Sequence, residues 1–227
     1  MPRIVIKLSG SYINPVQPPS AIESFARAIK EVLSMGFQAG VVVGGGPTAR
    51  SYISSARALG ASQALCDHLG ILSSRMNAFL LISSLGEAAY PVPPTSIEEA
   101  LRAAASEKVV VMGGLQPGQS TNAVAAVLAE LISAETLINV TTVDGVYSED
   151  PKKVPTAKLY KKLSYSQFAE ILSTRREEAG KYDLFDTVAL NVVSRSKILV
   201  HIISGEPPEN IIRVLRGEDI GTLISPT

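Results

Sequence analysis

The chain has 227 residues, and its 21 basic and 21 acidic side chains cancel to a formal net charge of zero. With no run of like charges, this balance argues against nucleic acid or an anionic membrane as the main partner. The single cysteine, Cys66, excludes an internal disulfide and a thiolate zinc cluster, and we expect it to be a small buried hydrophobe.

Hydrophobic residues make up 46% of the chain, and the mean hydropathy is +0.22. This surplus fits a sheet that is buried on both faces, and a subunit interface as well. No apolar run approaches the roughly 20 residues that span a bilayer, and MPRIVIKLSG lacks the features of a signal peptide. We therefore expect one cytoplasmic domain with no membrane contact.

Strand patterns and helix patterns alternate along the chain. The expected strands, in order, are RIVIKL, QAGVVV, KVVVM, TLINV, KILVHII and TLIS. Helical spacing occurs in IESFARAIKEVLS, GPTARSYI, residues 64–85, the segment from SIEE, AVAAVLAELI, SYSQFAEIL, TVALNVVSRS and PENIIRVLRG. Ser96 is expected to cap one helix, with Glu99 completing a capping box. The alternation predicts an α/β fold, a three-layer αβα sandwich with an open, mostly parallel central sheet.

Ligands of such sheets bind at the carboxyl ends of the strands, so the loops there are the candidate sites. The first loop contains Lys7, Ser9 and Gly10. A buried ammonium is costly unless an anion meets it, which favours a ligand beside Lys7. The alternative is that the strand has reached solvent and the lysine extends into it.

The second loop, GGGPTAR, runs from position 44 to 50. Three glycines let backbone amides approach a ligand, and the helix start adds a partial positive charge. Arg50 can bind a phosphate through its guanidinium. The alternative is a flexible turn with a surface arginine.

The third loop, GGLQPGQST, imitates the P-loop pattern, with Gly113, Gly118 and Ser120 in register. Gln119 stands where the lysine of that pattern would be, which excludes a P-loop kinase. Free amides and the hydroxyls of Ser120 and Thr121 at a helix start form a neutral cradle for a phosphate or a sugar hydroxyl. Capping and ligand binding can share these atoms.

The fourth loop, TTVDGVYSEDP, places Asp144 directly after a strand. By itself this residue is typical of a tight turn. Tyr147, whose ring can stack on a base, and Asp150, an acceptor for ribose hydroxyls or a base amine, favour a nucleotide site instead.

Together and in this order, KLSG, VGGGPTAR, GGLQPGQSTNAVAA and TTVDGVYSEDP resemble the amino acid kinase superfamily and, within it, the archaeal-type uridylate (UMP) kinases. The resemblance extends from IVIKLSG to the terminal TLI. It implies transfer of the γ-phosphoryl group of MgATP to UMP in pyrimidine nucleotide synthesis. It also implies a homohexamer, a UMP-binding lobe at about 1–135 and an ATP-binding lobe at about 136–227.

The resemblance implies a role for each matching residue. Lys7 would bridge the transferring phosphoryl group, and Asp144 would orient this lysine and, through it or water, the Mg²⁺ that ATP carries without a dedicated protein cage. Asp67 would receive the ribose hydroxyls of UMP. The ATP-binding residues would be Lys7, Ser9, Gly10, Gly46, Arg50, Thr141, Thr142, Tyr147 and Asp150. The UMP-binding residues would be Gly45, Asp67, Leu115, Gln116, Pro117, Gly118, Gln119, Ser120 and Thr121.

One departure concerns a second lysine that several amino acid kinases carry late in the chain. The corresponding segment, KYDLFDTVAL, has Asp183 and Asp186, and its nearest lysine is Lys181. The second cationic group is therefore unassigned, with Lys161 and Lys162 as candidates.

Two alternatives stay open on the sequence. An isopentenyl phosphate kinase of the same fold would carry a histidine in the helix after the second loop, and RSYISSARALGASQAL has none. A non-catalytic protein that stores oxyanions or nucleotides is the other, although Lys7 and Asp144 argue against it. Kinases that phosphorylate carboxylates would show the late lysine.

Overall fold

The structure is a computed structural model that describes residues 1–149, 151, 154, 156–176 and 184–227, with the backbone alone for 175 and 176. Asp150, Lys181 and Asp183 lie outside this part. The strands are β1 Arg3–Leu8, β2 Gln38–Val43, β3 Val110–Met112, β4 Thr136–Thr141, β5 Val146–Tyr147, β6 Leu159–Tyr160, β7 Lys162–Ser164, β8 Leu199–Ser204 and β9 Thr222–Ser225. The helices are α1 Pro19–Ser34, α2 Gly46–Ala58, α3 Gln63–Leu85, α4 Ile97–Ala104, α5 Thr121–Leu131, α6 Tyr165–Arg176, α7 Thr187–Arg195 and α8 Asn210–Leu215.

Seven strands form one sheet in the order β3-β2-β1-β4-β8-β9-β7, and β5 and β6 form a separate antiparallel pair. The neighbours from β3 to β8 are all parallel, whereas β9 runs antiparallel to β8 and parallel to β7. The carboxyl ends of five strands therefore meet at one edge of the sheet, which is where ligands bind in such folds.

Helices cover both faces of the sheet. One apolar core packs β1 and β2 against α1, α3 and α8, and the other packs the opposite face against α4, α5, α6 and α7. In β1, Ile4 and Ile6 face the first core and Val5 faces the second. Since side chains alternate along a strand, Lys7 lies on the α5 face with Val5. The three-layer, mostly parallel sandwich expected from the sequence is confirmed.

Helix α3 and the turn after it, Gln63–Ala88, are long and apolar enough to cross a membrane by length and composition. The sequence was expected to contain no such segment. The helix nevertheless packs against α1, α2 and β3, and it buries the polar side chains of Ser73, Ser74 and Asn77. These contacts are those of a core helix, since polar groups in hydrocarbon would be costly.

Some local features differ from expectation. Ser96 caps α4 by accepting from the amide of Glu99 at 3.2 Å. The Glu99 carboxylate, however, binds the amide and hydroxyl of Thr95 at 2.7 and 2.8 Å, so the expected reciprocal bond to Ser96 is replaced by one to its neighbour. Strands β5, β6 and β7 were missed because two or three residues are too few to show an alternating pattern.

Candidate active site

Lys7 is only 2% exposed, although it lies near the carboxyl end of β1. Its register neighbours are Val42 in β2 and Asn139 in β4. Helix α5 packs across β1 on the face to which Lys7 points, and its first residue, Thr121, has its hydroxyl 3.7 Å from an ideal Cβ on Gly44. Lys7 therefore lies in β1 on the face of the sheet that α5 covers, and α5 is the helix that follows the third loop.

The first and second loops touch through their glycines. An ideal Cβ on Gly10 would lie 2.3 Å from the Gly44 oxygen and 2.3 Å from the Gly46 nitrogen. Gly46 has a positive φ of 62°, and a Cβ there would lie 2.0 Å from the Gly10 oxygen. These glycines therefore permit contact between two backbones, in addition to any approach of backbone to ligand.

Polar side chains of α3 hold the second and third loops in place. Asn77 donates to the carbonyl of Gly44 at 2.9 Å. Ser74 accepts from the amide of Gly114 at 2.8 Å, and Arg75 donates to the carbonyl of the same glycine at 3.0 Å. The sequence analysis did not predict these contacts between α3 and the loops. The signal that could have indicated them is the presence of polar residues about one turn apart within an apolar helix.

Asp67, in the first turns of α3, meets the third loop. Its carboxylate accepts from the amide of Gly118 at 2.9 Å and from the side chain of Gln63 at 2.8 Å. The side chain is half-buried, and an ionised carboxylate has lone pairs for further donors. Two predicted site residues from distant parts of the chain are therefore neighbours.

Ser120 is engaged on both sides. It caps α5 by accepting from the amide of Ala123 at 3.0 Å, and its hydroxyl donates to the carboxylate of Asp186. Asp186 in turn caps α7, accepting from Ala189 at 3.0 Å. The third loop is thus tied to α7, and the Ser120 hydrogen is already donated within the protein rather than to a ligand.

In the fourth loop, the Tyr147 hydroxyl donates to both carboxylate oxygens of Asp144, at 2.9 and 3.0 Å. This bond favours the neutral phenol, so it raises the pKa of Tyr147, and burial adds to the rise. Asp144 and Thr142 are exposed, whereas Thr141 is buried. The loop places a carboxylate and an aromatic ring side by side at the site edge.

The matching sequence model is that of the amino acid kinase family, over residues 2–204. The chain belongs to the amino acid kinase family. It is 48% identical over 222 residues to the uridylate kinase of Hyperthermus butylicus, covering 98% of this chain and 97% of that protein. It is 45% identical over 224 residues to the uridylate kinase of Methanothermobacter thermautotrophicus, covering 99% of each.

A solved structure of uridylate kinase from Archaeoglobus fulgidus shares the architecture, with a TM-score of 0.88 at 44% identity over 98% of this chain and 99% of that one. UMP kinase from Bacillus anthracis aligns with a TM-score of 0.81 over 100% of this chain and 97% of that one, at 24% identity, and shows the fold alone. The family expected from the four motifs is confirmed.

This amino acid kinase also has a cavity of about 240 Å³ at the carboxyl end of β8. Its polar lining includes Asp144, Lys161, Ser204 and Arg213. Of the two candidate second cations, Lys161 thus lines a cavity with Asp144, although its ammonium also donates to the carbonyl of Asp219 at 3.1 Å. Lys162 is exposed in the edge strand β7.

Other predicted residues of the amino acid kinase site differ in exposure. Ser9 is buried and its hydroxyl accepts from the amide of Ser11 at 3.3 Å. Arg50 is exposed in the first turns of α2. Gln116 and Pro117 are exposed in the third loop. Among the described residues, no group of three or more His, Cys, Asp or Glu side chains converges on a metal position.

Proposed function

We propose that this amino acid kinase transfers the γ-phosphoryl group of ATP to UMP, giving UDP and ADP in pyrimidine nucleotide biosynthesis. The observation that carries the proposal is the convergence of the buried Lys7 with the glycine loops at one edge of the sheet. Curated relatives 48% and 45% identical over nearly the whole chain are uridylate kinases, which supports the same acceptor here.

The acceptor nucleotide is assigned mainly to the third loop and the α3 residues beside it. The proposed contacts are Gly45, Asp67, Leu115, Gln116, Pro117, Gly118, Gln119, Ser120 and Thr121. Asp67 supports a ribose, because its carboxylate already faces the third loop at Gly118 and accepts hydrogen bonds from hydroxyl donors. Backbone amides at the start of α5 supply donors for the phosphate.

Transfer itself needs alignment and charge neutralisation more than covalent chemistry. Lys7 is the proposed catalytic cation because the residue is buried. A cation in such a low-dielectric position stabilises negative charge on phosphoryl oxygens strongly. Asp144 is the proposed orienting carboxylate. No general base is required, since a phosphate monoester acceptor is already largely ionised at neutral pH.

ATP is assigned to residues of the first, second and fourth loops, with proposed contacts Lys7, Ser9, Gly10, Gly46, Arg50, Thr141, Thr142, Tyr147 and Asp150. Tyr147 supports this because its half-buried ring is fixed by the bond to Asp144. Asp150 lies outside the described residues and rests on the resemblance alone. The proposed lobes are a UMP-binding lobe at about 1–135, which also contributes the ATP contacts of the first and second loops, and an ATP-binding lobe at about 136–227.

Mg²⁺ is proposed to enter with ATP. This ion prefers oxygen ligands and usually takes one or two from protein. Asp144 offers an exposed carboxylate, and the buried Thr141 hydroxyl oxygen has no hydrogen-bond partner within the described residues, so the donors fit. When bound with ATP, the ion would neutralise charge on the phosphate oxygens.

A homohexamer in the cytoplasm is the proposed assembly and location. One face of α3 leaves apolar side chains exposed: Leu65 by 48%, Leu72 by 42%, Met76 by 61% and Phe79 by 48%. Such a stripe supports burial against another subunit. Light scattering after size exclusion tests the assembly, and a monomer at micromolar concentration would contradict it.

The function is tested by coupled ADP release with MgATP and, in parallel, UMP, CMP, AMP, isopentenyl phosphate and aspartate. Strong preference for UMP is expected. Turnover of isopentenyl phosphate would keep the fold and Lys7 but overturn the acceptor assignment. Absence of turnover with every acceptor would favour a binding protein.

A further inference from the structure

Tyr12 joins the first loop to the end of a neighbouring strand. Its amide donates to the carbonyl of Ser9 at 3.0 Å, which closes the turn that contains Gly10. Its hydroxyl donates to the carbonyl of Thr141 at 3.0 Å, 129 positions later in the chain. Thr141 is the last residue of β4 and the first of the fourth loop. One side chain therefore links the turn after β1 to the start of the fourth loop.

The ring of Tyr12 is packed on both sides, which fixes the direction of its hydroxyl. The residue is 8% exposed, and its ring centroid lies 5.1 Å from that of Phe25 in α1. Gly205, which follows β8, lies against the ring as well, because an ideal Cβ there would be 2.5 Å from its Cε2 atom. Burial is the main cause that raises the pKa of Tyr12, so the phenol keeps its hydrogen and stays a donor.

The backbone of Thr141 is held from two directions. Its carbonyl accepts from the Tyr12 hydroxyl and from the amide of Gly205, also at 3.0 Å. The amide of Ser9 donates to Val140 at 3.0 Å, so the Tyr12 bond extends the link between the first loop and β4 by one residue. The buried hydroxyl oxygen of Thr141, by contrast, has no hydrogen-bond partner within the described residues. Such an unpaired oxygen in a candidate site favours a ligand or water beside it.

We infer that Tyr12 is a positioning residue for ATP, whose hydroxyl sets the spacing between the first loop and the fourth loop. This inference rests on the proposed function, in which Ser9 and Gly10 contact ATP from one loop and Thr141 from the other. A ligand held by two loops binds more tightly when the loops are already fixed at the right spacing, because less conformational freedom is lost on binding. UMP has its proposed contacts in the second and third loops and α3, so its affinity should not depend on this bond.

The test compares wild-type protein with Tyr12→Phe, which removes the hydroxyl and keeps the ring. This variant should fold, because the Thr141 carbonyl keeps its bond from the Gly205 amide. The matched control is Tyr165→Phe. The hydroxyl of Tyr165 also donates to a backbone carbonyl, that of Ile198 at 2.8 Å, but it has no proposed ligand contact. Equilibrium binding of β,γ-imido-ATP and of UMP is measured separately for each protein, together with thermal unfolding.

In Tyr12→Phe we expect the dissociation constant of the ATP analogue to rise about 3- to 10-fold, which is the range for one lost hydrogen bond. The dissociation constant of UMP should stay within about 2-fold. In Tyr165→Phe both constants should stay within about 2-fold, with a similar decrease in Tm.

A second variant, Gly205→Ala, keeps the hydroxyl but crowds the ring from the side of β8. If it folds, it should show the same selective loss of affinity for the ATP analogue, because the displaced ring no longer holds Thr141.

Two results would overturn the inference. One is an ATP-analogue affinity within about 2-fold of the wild type in folded Tyr12→Phe. The other is an equal loss of UMP affinity in Tyr12→Phe, or an equal loss of ATP-analogue affinity in Tyr165→Phe, because the hydroxyl would then contribute only to general stability. Failure of the proposed function is distinguished from both, since it would appear as wild-type protein that does not phosphorylate UMP, whereas this comparison needs no turnover.

Discussion

The loops after β2 and β3 are pinned by buried side chains of α3, whereas the loop after β4 presents its functional groups from an exposed surface. On the first side, Asn77 and Ser74 are 1% exposed and bind loop backbone directly. On the second side, Asp144 and Thr142 are exposed, and Asp144 is bound by the nearby Tyr147.

The proposed nucleotide site therefore has two sides that are built differently. The loops after β2 and β3 are held by buried residues of α3 and are part of the core. Their shape is therefore preformed, and substitutions in them should lower stability as well as activity. The side after β4 is a surface loop, where substitutions should alter binding with little effect on folding. The following predictions test this contrast, from the largest expected effect to the smallest.

Gly46→Ala should have the largest effect. Its Cβ would lie 2.0 Å from the Gly10 oxygen at a positive φ of 62°, so we expect a loss of about 3 kcal/mol or more in unfolding free energy and loss of turnover. Urea denaturation measures the loss of unfolding free energy. The matched control is Gly60→Ala, at φ +84° with nothing within 4 Å, which should cost only the roughly 1–2 kcal/mol of backbone strain. Equal losses of unfolding free energy in the two variants would contradict the close packing of the first loop against the second.

Lys7→Met should lower kcat about 100- to 1000-fold, because it removes the positive charge that we propose to stabilise the transferring phosphoryl group. Binding of UMP should be largely kept, as the proposed contacts of UMP lie elsewhere. Steady-state kinetics and equilibrium binding measure the two effects. The control is Lys108→Met, at a half-buried lysine whose ammonium lies 3.7 Å from Glu87, and it should leave both kcat and UMP affinity unchanged. Normal kcat and normal UMP affinity in the Lys7 variant would refute the catalytic assignment.

Asp67→Asn should raise KM for UMP about 10-fold, with a smaller change in kcat, because a charged hydrogen bond to the acceptor is lost. Initial rates at varied UMP and saturating ATP measure this. Gln63→Ala removes only a side-chain partner of Asp67 at 2.8 Å and should have a smaller effect. An unchanged KM for UMP in Asp67→Asn would remove this residue from the pocket.

Tyr147→Phe should have the smallest effect. It removes the hydroxyl that binds Asp144 at 2.9 and 3.0 Å but keeps the ring, so KM for ATP should rise about 2- to 3-fold. Unfolding free energy should change by less than about 1 kcal/mol, because the bond lies at the surface. A stability loss as large as that of Gly46→Ala would erase the proposed contrast between the two sides.

Much of the fold could be predicted from local pattern. Within the described residues, the long strands and the eight helices follow from periodicity and from turn residues, as in RIVIKL and in Gly36 shortly after the end of α1. The short β5 and β6 could not, because the pairing of Val146 with Tyr160 depends on how the chain returns and not on the residues themselves.

The candidate site was predicted less evenly. The four loops are marked by glycine and charge directly after apolar strands, and Lys7 stood out as a lysine in a buried strand. The hydroxyl of Ser120 was expected to cap α5 and to form part of a ligand cradle, and its bond to Asp186, a partner 66 positions later, was not predicted. Nor did any local signal indicate that Asn139 would lie beside Lys7, since strand register is a long-range property.

The sequence by itself determined which segments become strands and helices and which loops have the chemistry for phosphate, because backbone propensity and periodicity act over a few residues. Only the tertiary structure decided that α3 holds two of those loops, that Gly10 touches Gly46, and that Lys7 lies beside Asn139 of β4, far away in the chain. These contacts arise when the sheet brings distant strand ends to one edge, and no local interaction encodes them.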